Sequence, residues 1–436
     1  MTDLDARVAT PHAPLLRRAA PALLGYAAVR ALGLLALALW SAARGKSAYT
    51  LLTARWDALW YTRVAELGYG YEVRLPNGDV HSNLAFFPLL PWLERSLHAL
   101  TPLSYADAGF AVSLLASLAA ACGIFAVAER VYGARTGIFA ALLWAVLPVG
   151  VVQSMAYSES LFTALAAWSL YALATGRWIT AGALAALAGL TRPVGVAVVA
   201  AVWVSGVVSY GRDRSRMRPP GAQGAAHAPA REPGASDGPR ASARTPERTV
   251  DISTHSGTTW TPGDTQAPYA PPWRRALGML IAPLGAAGYV LWVGQRTGKG
   301  PLGYLDVQAG WRNGFDGGYA FARFVADKFT SIPSAFAGAG LVVGVALLLW
   351  LYLAGLRRRQ PVELLVYTGV VLALALCASS YFGSKPRLLM PAFPVLLPLA
   401  GALARLRTSR SVLVTAVLAV AAAVYGAFWL NGSGPP

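Results

Sequence analysis

The chain has 436 residues, 56% of them hydrophobic and only 13% charged, too little polar surface for a soluble protein, so a polytopic membrane protein is expected. The formal net charge of +17 raises nucleic acid as a partner, but the arginines lie between apolar runs and not on one amphipathic face, so membrane topology accounts for them. Cys122 and Cys377 both lie within apolar runs, which gives no disulfide framework and leaves packing as their role.

In chain order, residues 1–19 read as a cytoplasmic tail ending in Arg17-Arg18, followed by an apolar run to Trp40 that resembles a signal sequence. The run is longer than a signal core, so an uncleaved signal anchor is expected. Spans follow near 20–42, 106–128, 136–153, 158–175, 178–191 and 193–210, then near 275–294, 335–356, 361–380, 388–405 and 411–430. That makes an all-α protein of about eleven transmembrane helices. Residues 84–100 are apolar but carry Pro88, Pro91, Glu94 and Arg95, and read as a re-entrant or interfacial helix with a local Glu94–Arg95 ion pair.

Residues 20–210 form an N-terminal transmembrane half and 275–436 a C-terminal half. Between them, 211–274 is rich in Pro, Gly, Ala, Ser, Thr and Arg and reads as a disordered cytoplasmic linker; His227 and His255 within it lack metal-like spacing. Alternating the spans places Arg17/Arg18, Arg130/Arg135, Arg177, the 211–275 segment, Arg357-Arg358-Arg359 and Arg405/Arg407/Arg410 on one side, expected to be the cytoplasm. The other side then receives 43–105, the 153–158 turn, Thr191-Arg192-Pro193, 295–334 and 381–387. The expected location is the plasma membrane, multi-pass, with a large first extracytoplasmic loop at 43–105.

That loop carries Arg55-Trp56-Asp57-Ala58-Leu59-Trp60-Tyr61. On a helix, Trp56, Leu59, Trp60, Val64 and Leu67 form one apolar stripe, with Asp57 and Tyr61 one turn apart beside it and Arg55 at the N-terminal end. Two readings stand: an interfacial amphipathic helix whose Asp57 favours the helix dipole, or a site in which Asp57 is a general base. His81 reads as a solvated loop histidine or a substrate contact. Glu159, in the first turn after Tyr157-Ser158, fits helix-dipole chemistry and equally a sugar hydroxyl. Arg192, at the junction of two spans, suits the outer headgroups or a lipid phosphate; Lys385 and Arg387 at a helix entrance suit a phosphate leaving group. Arg30, inside the first span, has no assigned partner. The alternatives to an enzyme are a lipid-linked sugar carrier or flippase without bond cleavage, and a catalytically silent scaffold.

Taken in order, Arg55–Tyr61 with Gly68-Tyr69, Phe86-Phe87-Pro88-Leu89-Leu90-Pro91, Tyr157-Ser158-Glu159-Ser160-Leu161-Phe162, Thr191-Arg192-Pro193 and Pro386-Arg387-Leu388-Leu389-Met390-Pro391-Ala392-Phe393-Pro394 resemble the PIG-V family of mannosyltransferases over most of the chain outside 211–274. The resemblance implies a GT-C glycosyltransferase fold and inverting transfer of mannose, or another hexose, from a polyprenyl-phosphate sugar to a lipid or glycan acceptor on the extracytoplasmic face. It implies Asp57 as base; from the residues themselves Arg55, Trp56, Trp60, Tyr61, His81, Glu159, Arg192, Lys385 and Arg387 are expected to contact substrate. Many GT-C members pair two acids in this loop; Asp57 has no adjacent acid, so no cofactor is expected and a divalent metal is unsupported.

Overall fold

The computed structural model describes residues 13–216 and 271–432; most of the expected linker, with His227 and His255, and most of the N-terminal tail lie outside the described residues. In lipid every backbone group needs an internal partner, so uncharged runs of this length become helices. Each of the eleven runs contains helix among the described residues, although 136–153, 275–294 and 388–405 are interrupted. Six segments are long and apolar enough to cross a membrane: Leu15–Ala43, Tyr105–Tyr132, Pro193–Arg214, Pro272–Thr297, Ile332–Arg357 and Thr408–Leu430. The pair Phe382–Leu389 and Phe393–Arg405, bent by 74°, would make a seventh, and Ala134–Ala145, Trp178–Gly189 and Val362–Cys377 are shorter apolar helices.

From the N-terminus, helix α1 (Leu15–Ala43) leads into the first loop, which holds α2 (Ala48–Thr53), α3 (Asp57–Leu67), a hairpin of β1 (Glu72–Arg74) and β2 (Val80–Ser82), and α4 (Leu89–Leu100). The strands are antiparallel, with Val73 opposite His81. Then follow α5 (Tyr105–Tyr132), α6 (Ala134–Ala145), α7 (Ser158–Ala174), α8 (Trp178–Gly189) and α9 (Val196–Arg216). The second half contains α10 (Pro272–Ile281), α11 (Leu284–Thr297), α12 (Gly303–Gly310), β3 (Gly314–Phe315), α13 (Tyr319–Asp327), α14 (Ile332–Arg357), α15 (Val362–Cys377), β4 (Ala378–Ser379), α16 (Lys385–Leu389), α17 (Leu397–Arg405) and α18 (Thr408–Leu430). The halves interlock, α1 against α18, α6 against α17 and α9 against α15, around a core that includes Phe125, Trp144, Phe162, Tyr367 and Phe393. Cys122 and Cys377 are free thiols.

The segment 136–153, expected as one span, is broken after Ala145, where Pro148 cannot continue the helix. The carbonyls freed by the break explain Arg30: its guanidinium reaches from α1 to donate to Ala145 O and Gly150 O. Beside it Tyr26 donates to Gln153 Oε1 at 3.0 Å and Gln153 Nε2 to Trp144 O at 2.7 Å. Arg30 is therefore structural glue inside the bundle. Close packing elsewhere rests on glycine: a Cβ at Gly182 or Gly285 would run into the backbone of Gly278 or Ala186, so α8 meets α10 and α11 backbone to backbone.

The loops gather at two ends. At one, Arg18 pairs with Glu129 at 3.0 Å, Arg130 Nε donates to Ala174 O at 3.2 Å and Arg135 Nη2 to Leu406 O at 2.7 Å, so the arginine-rich connections meet one another. At the other, Ala156 N donates to Leu52 O and Leu89 N to Leu190 O, both at 3.0 Å, while β3 pairs with β4. This end collects 43–105, 153–158, 191–193, 295–334 and 381–387.

The expected interfacial helix is α4, whose Pro91 falls in the first turn, where the missing N–H costs nothing. The local Glu94–Arg95 ion pair does not form. Arg95 Nε donates to Ala65 O at 2.7 Å, capping the end of α3, whereas Glu94 turns to α5 at Gly109, fully buried and with neither carboxylate oxygen hydrogen-bonded. Burial pushes its pKa well above the ordinary 4.5. The folded state therefore holds a proton that the unfolded chain releases, and stability falls as pH rises above about 4.5 toward the folded-state pKa. Glu94→Gln is expected to unfold at a higher temperature than the wild type at about pH 8 and to converge with it near pH 4, where both states are protonated, as read by thermal unfolding in nanodiscs.

Candidate active site

Helix α3 begins at Asp57 because Trp56 adopts a left-handed conformation, φ 53°, and turns the chain sharply before it. A bulky residue at positive φ is strained, and is held here by its packing against the core and by the Arg55 guanidinium 4.3 Å over its ring. The buried face of α3 is Ala58, Tyr61, Val64 and Ala65; of the expected apolar stripe only Val64 is buried, while Leu59 is 37% and Leu67 70% exposed. Small residues face inward because α4 and α5 pack closely against this side. Tyr61 is thereby buried one turn beyond Asp57, and its hydroxyl lies 2.7 Å from Ser158 Oγ.

Four charged side chains from four segments converge there. Arg387 Nη1 lies 2.8 Å from Asp57 Oδ2, and its Nε 3.3 Å from Glu159 Oε1. Arg192 Nη1 lies 2.5 Å from that same Glu159 oxygen and donates to Ser158 Oγ at 3.2 Å. The Arg387 guanidinium also covers the ring of Tyr157, 5.1 Å from its centroid. The segment carrying Arg387 is anchored by Trp144 Nε1, which donates to Met390 O at 3.1 Å, and by the Tyr367 hydroxyl, which donates to Pro391 O at 2.9 Å. The result is a closed chain of contacts, Asp57–Arg387–Glu159–Arg192–Ser158–Tyr61, that returns to α3. Two cations balance two anions, so the cluster is neutral overall and its burial is tolerable. The Asp57 side chain keeps 25% of its exposure while Glu159 keeps 1%, so Asp57 is the carboxylate that faces the opening.

Two expected substrate contacts change role. Glu159 is sealed between the two arginines and is out of reach of a sugar hydroxyl; it holds the cations in place. Lys385 is 3% exposed and donates to Ala375 O at 2.8 Å and Ala378 O at 2.7 Å, neutralising the C-terminal end of α15, with Phe321 and Phe382 against its ammonium. It is therefore committed to backbone and not to the arginine cluster. The remaining residues form a second zone. Trp60 stacks on Phe86 with centroids 5.6 Å apart, and meets the edge of Trp311 at 5.0 Å. His81 stacks on Trp311 at 4.0 Å. Partial burial lowers the His81 pKa below its ordinary value against the pull of Asp79, so the ring is neutral at pH 7.

Sequence reading did not single out Ser158 or Trp311. Ser158 sits inside a quoted motif beside the more conspicuous Glu159. Trp311 follows α12 in an otherwise featureless loop, and only its aromatic character in an outer-facing segment marked it. Among the described residues no three His, Cys, Asp or Glu side chains converge as metal ligands. An apolar groove of 820 Å³ runs between α4, α8 and α11, lined by Tyr69, Trp92, Leu187, Leu190, Tyr289 and Trp292. Leu190 in its wall lies two residues before Arg192 in the chain.

A family model described as dolichyl-phosphate-mannose-protein mannosyltransferase matches residues 84–226. The structure is similar to ArnT from Cupriavidus metallidurans bound to undecaprenyl phosphate, with 15% identity, a TM-score of 0.50, and 92% of this chain and 63% of that chain covered. It is also similar to the archaeal oligosaccharyltransferase AglB from Archaeoglobus fulgidus in complex with an inhibitory peptide and a dolichol-phosphate, with 12% identity, a TM-score of 0.43, and 94% of this chain and 56% of that chain covered. The chain thus spans less than two thirds of either structure. No curated protein matches it significantly. Its apolar helices and its likeness to ArnT make the chain an all-α, multi-pass membrane protein with the GT-C fold.

Proposed function

We propose that this protein is a membrane glycosyltransferase that moves a mannosyl, or other hexosyl, group from a polyprenyl-phosphate sugar to a lipid or glycan hydroxyl, with inversion. The observation that carries the reading is the neutral cluster in which Asp57, the more exposed of its two carboxylates, meets Arg387, which shares Glu159 with Arg192; an apolar groove has Leu190, two residues before Arg192, in its wall. The groove suits a polyprenyl tail and the two arginines suit its phosphate. Support comes from the mannosyltransferase model over 84–226 and from the undecaprenyl phosphate bound by ArnT. The PIG-V resemblance favours mannose, and the arginine-rich end, by the positive-inside rule, favours a cytoplasmic N-terminus, an extracytoplasmic site and the plasma membrane.

In the reaction the donor phosphate displaces Asp57 from the Arg387 guanidinium and takes N–H groups of Arg387 and Arg192, opening the 2.8 Å contact so that the sugar lies between the arginines and Asp57. The acceptor hydroxyl attacks the anomeric carbon and gives its proton to Asp57; the bond from that carbon to the phosphate oxygen breaks, and the electron pair leaves on the phosphate. The charges balance throughout. With two arginines, Glu159, ionised Asp57 and a monoanionic phosphodiester, the site carries one net negative charge. After transfer Asp57 is neutral and the polyprenyl phosphate is a dianion, and the sum is unchanged. A low-dielectric site therefore performs the step without accumulating charge.

Purified protein in nanodiscs, given radiolabelled polyprenyl-phosphate mannose and a membrane lipid extract, is expected to form a new mannosylated product. Movement of donor across vesicles with no product formed would instead identify a carrier.

A further inference from the structure

The turn that leads into α4 is held from the second half of the chain. Asn83–Ala85 make one 3-10 turn, and Pro88 has no N–H to give Leu84 O, so the carbonyls here take side-chain hydroxyls instead. The Tyr289 hydroxyl, from α11, lies 2.9 Å from Leu84 O and 2.8 Å from Phe86 O, and the Tyr69 hydroxyl donates to Phe86 O at 2.8 Å. On its other side the same turn touches the charge cluster. The buried Phe86 ring lies parallel to that of Trp60, within 7°, and meets the Tyr61 ring edge-on with centroids 5.1 Å apart. The Tyr61 hydroxyl rests on Ser158 Oγ, which accepts from Arg192. Tyr289 and Tyr69 also wall the apolar groove, so each is shared between the groove and, through its hydroxyl, the turn. Satisfying the carbonyls alone would not need that arrangement: the Tyr304 hydroxyl, 3.5 Å from Ala85 O, approaches the turn without belonging to the groove wall.

We propose that Tyr289 is a positioning residue: an apolar chain in the groove sets, through the Tyr289 hydroxyl and the Phe86 turn, the place of Tyr61 and so of the arginine reached through Ser158. The inference rests on the transferase reading, in which that chain is a prenyl tail, and names the residue through which tail and reacting centre are coupled. Close-packed interiors have no slack, so a chain pressed against the Tyr289 ring displaces its hydroxyl. The hydroxyl carries the Phe86 carbonyl, and the Phe86 ring cannot move without Trp60 and Tyr61. Each contact in the series is a hydrogen bond or a ring packed on a ring, which makes a contiguous path of about four side chains. The coupling is reciprocal, so a cluster set for reaction also favours a filled groove.

The test is fluorine NMR on the full chain in nanodiscs, labelled with 5-fluorotryptophan and assigned by single Trp→Phe variants, with farnesol as an apolar prenyl probe that carries no phosphate. Trp92 and Trp292 line the groove and report filling; Trp60, stacked on Phe86, reports the turn; Trp350, exposed on α14, reports farnesol merely dissolved in the bilayer. In the wild type the Trp92, Trp292 and Trp60 signals are expected to move and that of Trp350 to stay. Tyr289→Phe keeps the ring and removes the hydroxyl, so Trp92 and Trp292 should still move and Trp60 should not. Tyr304→Phe, with its unfolding temperature checked beside that of Tyr289→Phe, should keep the Trp60 response. In turnover Tyr289→Phe is expected to leave the donor KM level and lower kcat by about 10²-fold, the loss that a misplaced catalytic group gives. A still Trp60 signal in the wild type, equal movement in Tyr289→Phe, or a raised donor KM at unchanged kcat overturns the proposal. The full NMR pattern with no transfer from any polyprenyl-phosphate sugar would uphold the coupling and sink the transferase reading. Transfer with no Trp60 response would do the reverse.

Discussion

Asp57→Asn is expected to lower transfer by about 10²–10⁴-fold, the range a positioned general base contributes. The substitution keeps the shape of the side chain and its place at the start of α3, but an amide cannot accept the acceptor's proton. It also cannot hold Arg387 by charge. In the ligand-free protein Arg387 is shared between Asp57 at 2.8 Å and Glu159 at 3.3 Å, so the donor phosphate competes with Asp57 for the guanidinium. Removing the competitor leaves donor affinity unchanged or tighter. The signature is therefore a split: kcat collapses while the donor KM stays level or falls. Single-turnover kinetics with labelled donor, together with donor binding by calorimetry, measure both halves. Unchanged turnover would remove Asp57 as the base; a weaker donor KM with normal turnover would make it a phosphate-site organiser instead.

What was legible in the sequence follows from what is local. The eleven apolar runs were readable because helix formation in lipid depends on a long stretch of apolar side chains, and each run contains helix. Their breaks were harder to see: the consequence of Pro148 depends on Arg30, more than a hundred residues earlier, being there to take the freed carbonyls. Sorting loops by their arginines anticipated which segments would meet, since one alternation rule governs all of them. It did not reveal what each charge would do on arrival. Glu159 looked like a free acid in a first turn, and only the approach of Arg192 and Arg387 from distant segments buries it. Lys385 looked like a phosphate ligand because the carbonyls it neutralises carry no mark in the sequence. For α3 the helix was readable and its buried face was not. The pattern rule sends large apolar residues inward, whereas close contact with α4 and α5 selects Ala58 and Ala65.

Glu159 separates these accounts most sharply. It is 1% exposed and touches both arginines through one oxygen, so Glu159→Gln leaves the buried Arg387 with Asp57 as its remaining carboxylate and Arg192 with the Ser158 hydroxyl. Breaking a buried charge balance in this way is expected to cost about 3–5 kcal/mol of stability. Because an anion can stand in for the missing carboxylate, added polyprenyl phosphate should raise the unfolding temperature of Glu159→Gln more than that of the wild type. Removing one cation as well, in Glu159→Gln with Arg192→Gln, restores neutrality and should recover most of the lost stability while donor affinity stays low, a coupling that a double-mutant cycle reads directly. Thermal unfolding with and without polyprenyl phosphate measures each term. If Glu159→Gln unfolds at the wild-type temperature but loses turnover, Glu159 acts on the sugar after all, and the burial argument fails. If its stability falls and the second substitution restores nothing, the two arginines are not held by a shared carboxylate. The expected pattern, loss on the first substitution and recovery on the second, would show that Glu159 sets the positions of both cations from which a phosphate can leave.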